Sequence, residues 1–310
     1  MMKKRFYFAV ILLLLGFLLT DPKEAVDASS RGLLLWFHSL IPVLLPFLIL
    51  SNLLIALDGV SALTRFLYPA FHRIFGCSED GCYAVAVGFL CGYPVGARIT
   101  ADLVREGHIS LEEGNYLLCF CNNASPAFLI GYCLTDCLGR PDLLFQTLLV
   151  IYGIPVLTAL FLRRKRRFSN LPAEKKTSGS QISFKIVDVC MMNGLESILK
   201  LGCYIILFSV LARLLMKIPC PYPLFTCIGV GLTEMTNGIA QITSDASVSS
   251  LVKYVSVLGF AAFGGLCGAA QTESMLLDSG LSVKQYLKAK LAAGLLALCL
   301  GAVLFTPPGP

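Results

Sequence analysis

Long apolar stretches alternate with short polar ones along the whole chain. Most of these stretches come close to the ~20 residues that a helix needs to cross a bilayer. They cover residues 6–20, 33–57, 82–104, 115–134, 143–162, 195–216, 223–242, 255–276 and 289–306. The pattern predicts an all-α polytopic membrane protein. The composition agrees, because 56% of the residues are hydrophobic and 14% are charged, against about 25% charged in soluble domains.

Polar interruptions divide the chain into four parts. The predicted parts are an N-terminal membrane anchor with a short loop (1–32), a first membrane repeat (33–162), a basic cytoplasmic linker (163–190) and a second membrane repeat (191–310). Stretch 6–20 also fits a cleaved signal peptide, since the small residues around Val26-Asp27-Ala28 suit a cleavage site. We expect the uncleaved anchor.

Basic clusters mark the predicted cytoplasmic side. Lys3-Lys4-Arg5 precedes the first apolar stretch and Arg163–Arg167 follows the fifth, and the positive-inside rule places both in the cytoplasm. The N-terminus is therefore predicted to be cytoplasmic, and an even number of crossings must separate the clusters. Five stretches lie between them, so one should enter and leave on the same side. No basic stripe is interleaved with exposed aromatics, so we expect no nucleic-acid partner.

Two stretches carry nearly the same glycine-rich core, GFLCG over 88–92 and GGLCG over 264–268. Backbone that opens inside a membrane is tolerated where it lines a cavity. We therefore predict re-entrant hairpins over 82–104 and 255–276 whose tips meet near mid-membrane, within an internal duplication of parallel or inverted sense. The second hairpin assumes cytoplasmic positions for Lys253, Lys284, Lys288 and Lys290. The backbone positions expected to shape both hairpins are Gly88, Gly92, Pro94, Gly96, Gly264, Gly265 and Gly268.

Polar side chains inside the apolar stretches form the predicted substrate site. Amides and a hydroxyl precede Pro126, where the helix should unwind, and a planar guanidinium can grip a carboxylate or phosphate. The set is Arg98, Asn122, Asn123, Ser125, Gln271, Thr272 and Glu273. Three alternatives stay open: interhelical hydrogen bonds by the Asn and Ser side chains, an ion pair of Arg98 with Asp102, and a tip over 271–273 that reaches water.

Glu234 and Asn237 are the candidates for ion coupling. They lie between Gly229, Gly231 and Gly238, and carboxylates with nearby carbonyl oxygens suit Na⁺ or H⁺. The sequence does not choose between the two ions. The alternative is that the segment, which opens with three prolines, is a partly exposed loop.

Cysteines and catalytic motifs do not indicate an enzyme. The thirteen Cys and three His show no zinc-like ligand spacing, so we expect no metal and no cofactor; a Cys77–Cys82 disulfide would require an extracytoplasmic loop. Phosphate-loop, nucleophile-elbow and HExxH motifs are missing from the sequence, and we expect neither ATP coupling nor enzymatic activity.

The residues GFLCGYPVGARIT over 88–100, NNASP over 122–126 and FGGLCGAAQTES over 263–274 resemble the Gate-domain, or nucleoside-recognition, family of bacterial integral membrane proteins. The similarity extends loosely over 33–305 and is greatest to the YlbJ-type stage V sporulation branch. Separately, Gln271-Thr272-Glu273 is similar to a hairpin tripeptide of concentrative nucleoside transporters that contacts the nucleobase. The resemblance implies a nucleoside-transporter-like fold in which Gln271 and Glu273 hold the edge of a planar ring.

Together these observations predict a secondary transporter or facilitator of a small planar, anionic solute, with a dipicolinate-like heteroaromatic carboxylate implied by the sporulation branch. This chain differs from nucleoside transporters in two ways. Its first hairpin motif contains Arg98, and it has no clear set of ribose-binding and sodium-binding residues. The expected location is the cell membrane, in a spore former the outer forespore membrane, and a homo-oligomer is compatible with this. The alternatives are a nucleoside or nucleobase transporter and a non-transporting scaffold for envelope or spore assembly.

Overall fold

The computed structural model describes residues 2–57, 59–163, 168, 184–217 and 223–307. Every element in these ranges is a helix: α1 Met2–Thr20, α2 Pro22–Leu34, a π-helical segment Leu35–Leu40, α3 Ile41–Ala56, α4 Gly59–Phe75, α5 Glu79–Cys91, α6 Val95–Arg105, α7 Leu111–Leu118, a π-helical segment Phe128–Leu138, a 3₁₀ turn Pro141–Leu143, α8 Leu144–Arg163, α9 Phe184–Met216, α10 Pro223–Thr233, α11 Met235–Ser244, α12 Ser250–Phe263, α13 Gly265–Met275 and α14 Val283–Leu304.

Five helices in the described ranges are long and apolar enough to cross a membrane, and six if one bent pair counts as a span. The all-helical, polytopic prediction is therefore confirmed. The basic residues 164–167 and most of the predicted linker, 169–183, lie outside the described residues, as do the prolines at 219 and 221.

The chain from α2 to α3 is one long helix that packs antiparallel to α9. Trp36 Nε1 donates to the Ile198 carbonyl at 2.9 Å, and Asn52 Nδ2 donates to the Cys190 carbonyl at 3.3 Å. The loop predicted within residues 1–32 is wrong, because α2 begins at Pro22, a residue well suited to a first helical turn. The π-helical segment ends just before Pro42, which lacks the N–H that a regular helix would use.

Helices α5 and α6 fold back on each other where the first hairpin is predicted. A Cβ at Gly96 would lie 3.0 Å from Gly88 Cα, and one at Gly88 would collide with the Cys121 carbonyl, so both positions require glycine. The turn between the helices contains Gly92, whose φ of 75° favours glycine, and a cis Tyr93–Pro94 peptide. The re-entrant placement of this pair in a bilayer stays a prediction. At its other end α5 meets α4 at about 90°.

The second fold-back pair is α10 with α11, not 255–276. The two helices are separated by Glu234 alone, and a Cβ at Gly238 would collide with Gly231 Cα. In contrast, α12 and α13 continue as one candidate span, Ser250–Met275, broken at Gly264. The predicted hairpin over 255–276 is therefore wrong: Gly264 and Gly265 have positive φ, which breaks the hydrogen-bond ladder without reversing the chain direction.

A second broken helix runs from α7 to the π-helical segment Phe128–Leu138. Residues 122–125 between them are non-helical, as predicted from the amides and Pro126. All four carbonyls of this unwound stretch have partners: Lys290 Nζ, the Tyr93 N–H, the Tyr152 hydroxyl and the Leu129 N–H. The stretch is therefore held by groups from the α5–α6 turn, α8 and α14.

Candidate functional site

A cavity of about 50 Å³ lies where the two turns and the two helix breaks meet. That volume exceeds the roughly 10–15 Å³ that one water needs. Its wall is mostly apolar, with polar side chains from both halves of the chain. The lining residues are Leu40, Leu44, Phe47, Leu48, Cys91, Tyr93, Pro94, Val95, Ser125, Phe128, Ser197, Leu201, Glu234, Met235, Thr236, Gly264, Cys267, Gly268 and Gln271.

The N-termini of two helices face this cavity, and neither is capped by the side chain of its own N-cap residue. The N-cap residues are Pro94 for α6 and Gly264 for α13; both line the cavity, and neither makes a side-chain cap hydrogen bond. The first N–H groups of a helix carry partial positive charge and have no partner within the helix. Such ends are suited to binding an anionic group. In α6 the Gly96 N–H donates to the Gly92 carbonyl and the Ala97 N–H to Asn122 Oδ1. The Val95 N–H and the α13 N-terminus therefore supply the partial positive charge at a cavity that also contains the Glu234 carboxylate.

Glu234 caps the third helix that begins at the cavity, α11. Its side chain is 2% exposed; Oε1 accepts from the Thr236 N–H at 3.1 Å, and Oε2 accepts from the Asn237 N–H and Nδ2, both at 2.8 Å, and from the Thr236 hydroxyl at 2.5 Å. A buried carboxylate is tolerated when donors satisfy it. The structure thus brings both ion-coupling candidates, Glu234 and Asn237, into one network.

The Gln271-Thr272-Glu273 run is split by the regular helix that carries it. Gln271 is buried and lines the cavity. Thr272 is also buried, but its hydroxyl accepts from Asn122 Nδ2 at 3.0 Å and it does not line the cavity. Glu273 is exposed. Glu273 therefore does not join Gln271 at the cavity, because consecutive helical residues point in different directions and α13 does not unwind here.

Asn122 and Asn123 brace the unwound stretch and do not face the cavity. Asn122 Oδ1 accepts from the Ala97 N–H at 3.2 Å, and Asn123 Nδ2 donates to the Phe120 carbonyl at 2.5 Å. Asn122 therefore makes the interhelical hydrogen bonds that the sequence left open as an alternative role, because it joins α6 to α13. Ser125 does line the cavity, and its Oγ accepts from the Phe128 N–H at 3.2 Å.

Arg98 lies beside the cavity, in the openings that lead to it. Its side chain is 50% exposed, and Nε lies 3.9 Å from Asp102 Oδ2, so the alternative of an ion pair with Asp102 is borne out as a long contact. A small opening lined by Arg98 shares Pro94, Val95, Ser197, Leu201 and Gln271 with the cavity, and it adjoins a wider vestibule of about 460 Å³. We call this the Arg98 vestibule.

A second vestibule of about 360 Å³ lies further along α9. Its lining includes Arg31, Ser209, Arg213, Asn237 and Gln241. Asn237 Nδ2 donates to Ser209 Oγ at 2.6 Å as well as to Glu234 Oε2. Glu234 lines the cavity and Asn237 lines this second vestibule, so the hydrogen-bonded pair separates the two spaces. We call this space the Asn237 vestibule.

Lys290 is a buried basic residue, although the sequence predicts it in an exposed cytoplasmic flank. It is 2% exposed, and Nζ donates to the Asn122 carbonyl at 3.0 Å and lies 3.4 Å from Asn123 Oδ1. Lys290 is therefore packed inside the protein and does not belong to an exposed basic flank. Helical periodicity could have indicated this burial. Residues 288 and 290 stand about 200° apart on a helix, so the two lysines cannot share one face, and Lys288 is the exposed one.

Within the described residues, no group of three His, Cys, Asp or Glu could hold a metal ion. Cys77 and Cys82 are buried free thiols whose sulfurs lie 3.4 Å apart. No disulfide joins them in this structure.

The chain is similar to the sporulation integral membrane protein YlbJ of Bacillus subtilis strain 168, with 28% identity over 337 residues that cover 96% of this chain and 81% of the relative. No family model matches the chain, and no solved structure matches it. The similarity and the apolar helices support a multi-pass membrane protein.

Proposed function

Starting from that similarity, we propose that the chain is a secondary transporter or facilitator of a small planar anion, of the heteroaromatic carboxylate class, across a bacterial membrane during sporulation. The observation that carries the proposal is the cavity lined by the N-cap residues of two helices, neither of which caps its helix with a side chain. In a spore former, the outer forespore membrane is the proposed location.

The lining of the cavity fits such a solute. The N–H groups that begin α6 and α13 would donate to carboxylate oxygens, and Ser125 and Gln271 add side-chain donors. Phe47 and Phe128 offer apolar surface for a ring. The two N-termini come from different halves of the chain and line the same cavity, so a solute bound there would lie between residues of both halves.

The order of spaces along α9 fits a route through the membrane. The Arg98 vestibule is lined by residues near the start of α9, such as Lys185, and the Asn237 vestibule by residues near its end, such as Met216. At 1.5 Å per residue, the distance along this helix exceeds the ~30 Å hydrocarbon thickness. The cavity connects to the first vestibule through shared lining residues and is separated from the second by Glu234 and Asn237.

The element order supports an internal duplication. In each half a fold-back pair is followed by a broken helix and then by a long span: α5–α6, α7 with Phe128–Leu138, and α8; then α10–α11, α12–α13, and α14. We infer two repeats on this basis. In this alignment the two glycine-rich cores do not correspond. The core at 88–92 ends the first helix of a fold-back pair, whereas the core at 264–268 lies at the break between α12 and α13.

A direct test is solute uptake by the purified full chain in liposomes. The panel is radiolabelled pyridine-2,6-dicarboxylate, pyridine-2-carboxylate, uridine and adenine, with protein-free liposomes as the control. We expect saturable uptake of the carboxylates. The absence of flux for every solute would reject transport and favour the scaffold alternative; flux of uridine or adenine alone would favour the nucleoside or nucleobase alternative.

The nucleoside alternative is the weaker one on geometry. Nucleobase binding by the resemblance requires both Gln271 and Glu273 to contact the edge of one base, but only Gln271 lines the cavity. The carboxylate that does line it, Glu234, already accepts hydrogen bonds from Thr236 and Asn237.

A further inference from the structure

When it is protonated, Lys290 places a cation where a free ion would be expected. Unwound helical segments in transporters expose carbonyl oxygens that coordinate Na⁺. Here the oxygens of Asn122 and Asn123 instead accept from the Lys290 ammonium group, at 3.0 and 3.4 Å. The Tyr93 ring offers its face to the same nitrogen, 5.7 Å from the ring centroid, a distance typical of cation–π contacts.

No carboxylate neutralises this ammonium group. In the part of the chain that the structure describes, Lys290 makes no ion pair within 4.0 Å. The titratable groups near it are Cys121, which directly precedes the unwound stretch, Tyr93 on the α5–α6 turn and Tyr286 on its own helix. A thiol and two phenols are uncharged at neutral pH. α8 and α12 contribute the apolar residues Ile151, Ile154, Pro155 and Ala262 to the small cavity beside it.

The charge on Lys290 is therefore costly unless an anion comes near. Tyr93, which lies under the ammonium group, also lines the solute cavity, and so does Ser125 at the end of the same unwound stretch. An anion in the cavity would favour the protonated amine. By linkage, protonation would favour anion binding to the same degree.

We propose that Lys290 is the proton-binding site of the transport cycle, a tethered cation that takes the place of Na⁺ and carries one proton with each anion. This inference rests on the proposed function. In the step, the amine gains a proton from water on the side where the solute enters and releases it to water on the side where the solute leaves. No other bond changes.

The experiment measures proton uptake on binding. Pyridine-2,6-dicarboxylate is titrated into the detergent-solubilised full chain by calorimetry, at one pH, in buffers of different ionisation enthalpy. The variants are Lys290→Met and Lys290→Arg, with Lys288→Met as the matched control from the exposed side of the same helix. We expect one proton taken up per solute by the wild type and by Lys288→Met, and none by either Lys290 variant.

Liposome uptake separates the coupling ion. We expect an inward proton gradient to drive accumulation, and replacement of Na⁺ by choline to leave uptake unchanged. Lys290→Arg keeps a permanent charge, so it should still exchange solute but lose accumulation driven by the pH gradient. Proton uptake that persists in Lys290→Arg, or wild-type uptake that requires Na⁺, would overturn the inference.

Failure of the proposed function is distinguishable from failure of this inference. If no solute binds or moves, the proposed function falls, and Lys290 is then tested by thermal unfolding in NaCl and in choline chloride. A wild type whose Tm rises specifically with Na⁺ contradicts a tethered cation in the place of Na⁺. A Na⁺-dependent rise in Tm that appears only in Lys290→Ala, where the oxygens of Asn122 and Asn123 are freed, supports it.

Discussion

The two fold-back pairs reach the same cavity but end differently. The α5–α6 turn leaves the α6 N-terminus uncapped at Pro94, whereas the α10–α11 turn places Glu234 as a cap on α11. Their construction is otherwise alike, since each depends on two glycines in close contact, Gly88 with Gly96 and Gly231 with Gly238. The comparison indicates a division of roles: the first turn presents the Val95 N–H to an anion, because the Gly96 and Ala97 N–H groups already have acceptors, and the second supplies its own anion and closes the far side.

The largest effect is expected from the glycine contacts common to both pairs. Gly88→Ala would drive a methyl group into the Cys121 carbonyl, and Gly238→Ala into Gly231 Cα. Overpacking against backbone should cost on the order of 3 kcal/mol, seen as a fall in Tm and in the yield of folded protein. Gly229→Ala is the control, because nothing lies within 4 Å of its Cβ position. A normal Tm for both variants would show that the helices do not pack this closely.

The second-largest effect is expected from Glu234→Gln, which changes the α10–α11 turn and leaves the α5–α6 turn as it is. An amide in place of the carboxylate puts an NH₂ group against donors from Thr236 and Asn237, so a loss of about 2 kcal/mol is expected, on the scale of one hydrogen bond to a charged group. Thermal unfolding measures this loss, with Glu273→Gln as the exposed control. If Glu273→Gln destabilises the protein as much as Glu234→Gln, the assignment of Glu234 as the buried cap is incorrect.

Substitution of Arg98 should have the smallest of these effects, and the effect should be on solute uptake. Arg98 lies half-exposed in the approach to the cavity, and cationic groups there raise the local concentration of an anion. We expect Arg98→Gln to raise the KM for pyridine-2,6-dicarboxylate roughly 3- to 10-fold at low salt and less at high salt, because exposed charges are screened. Arg98→Lys should retain most activity, and Lys284→Gln serves as the exposed control. Complete loss of uptake in Arg98→Lys would restore Arg98 to direct bidentate contact with the solute.

The apolar stretches predicted the helical class and most of the long helices, because their lengths follow from bilayer thickness. The break at 122–125 was also predictable, since amides before Pro126 destabilise a helix. The direction of the chain after a glycine was not predictable: Gly92 lies in a reversal and Gly264 in a break that continues forward. Local composition specifies that a helix ends, but packing between distant segments determines where the next one goes.

The candidate site was predictable only in part, for a related reason. Gln271, Ser125 and Glu234 line the cavity, whereas Glu273 points away and Lys290 points inward. The sequence analysis treated three consecutive polar residues as one cluster and three nearby lysines as one flank. A regular helix turns 100° per residue, which divides both groups between opposite faces.

The most direct test of the central claim is to fill the cavity from its own wall. Gly268 lines the cavity, and nothing lies within 4 Å of its Cβ position, so Gly268→Leu should fold normally and occupy the solute's place. Gly153→Leu, at another glycine with open space, is the matched control. We predict an unchanged Tm for both variants, with pyridine-2,6-dicarboxylate uptake abolished in Gly268→Leu, partly reduced in Gly268→Ala and normal in Gly153→Leu. Wild-type uptake by a stably folded Gly268→Leu would contradict the assignment of this cavity as the transport site.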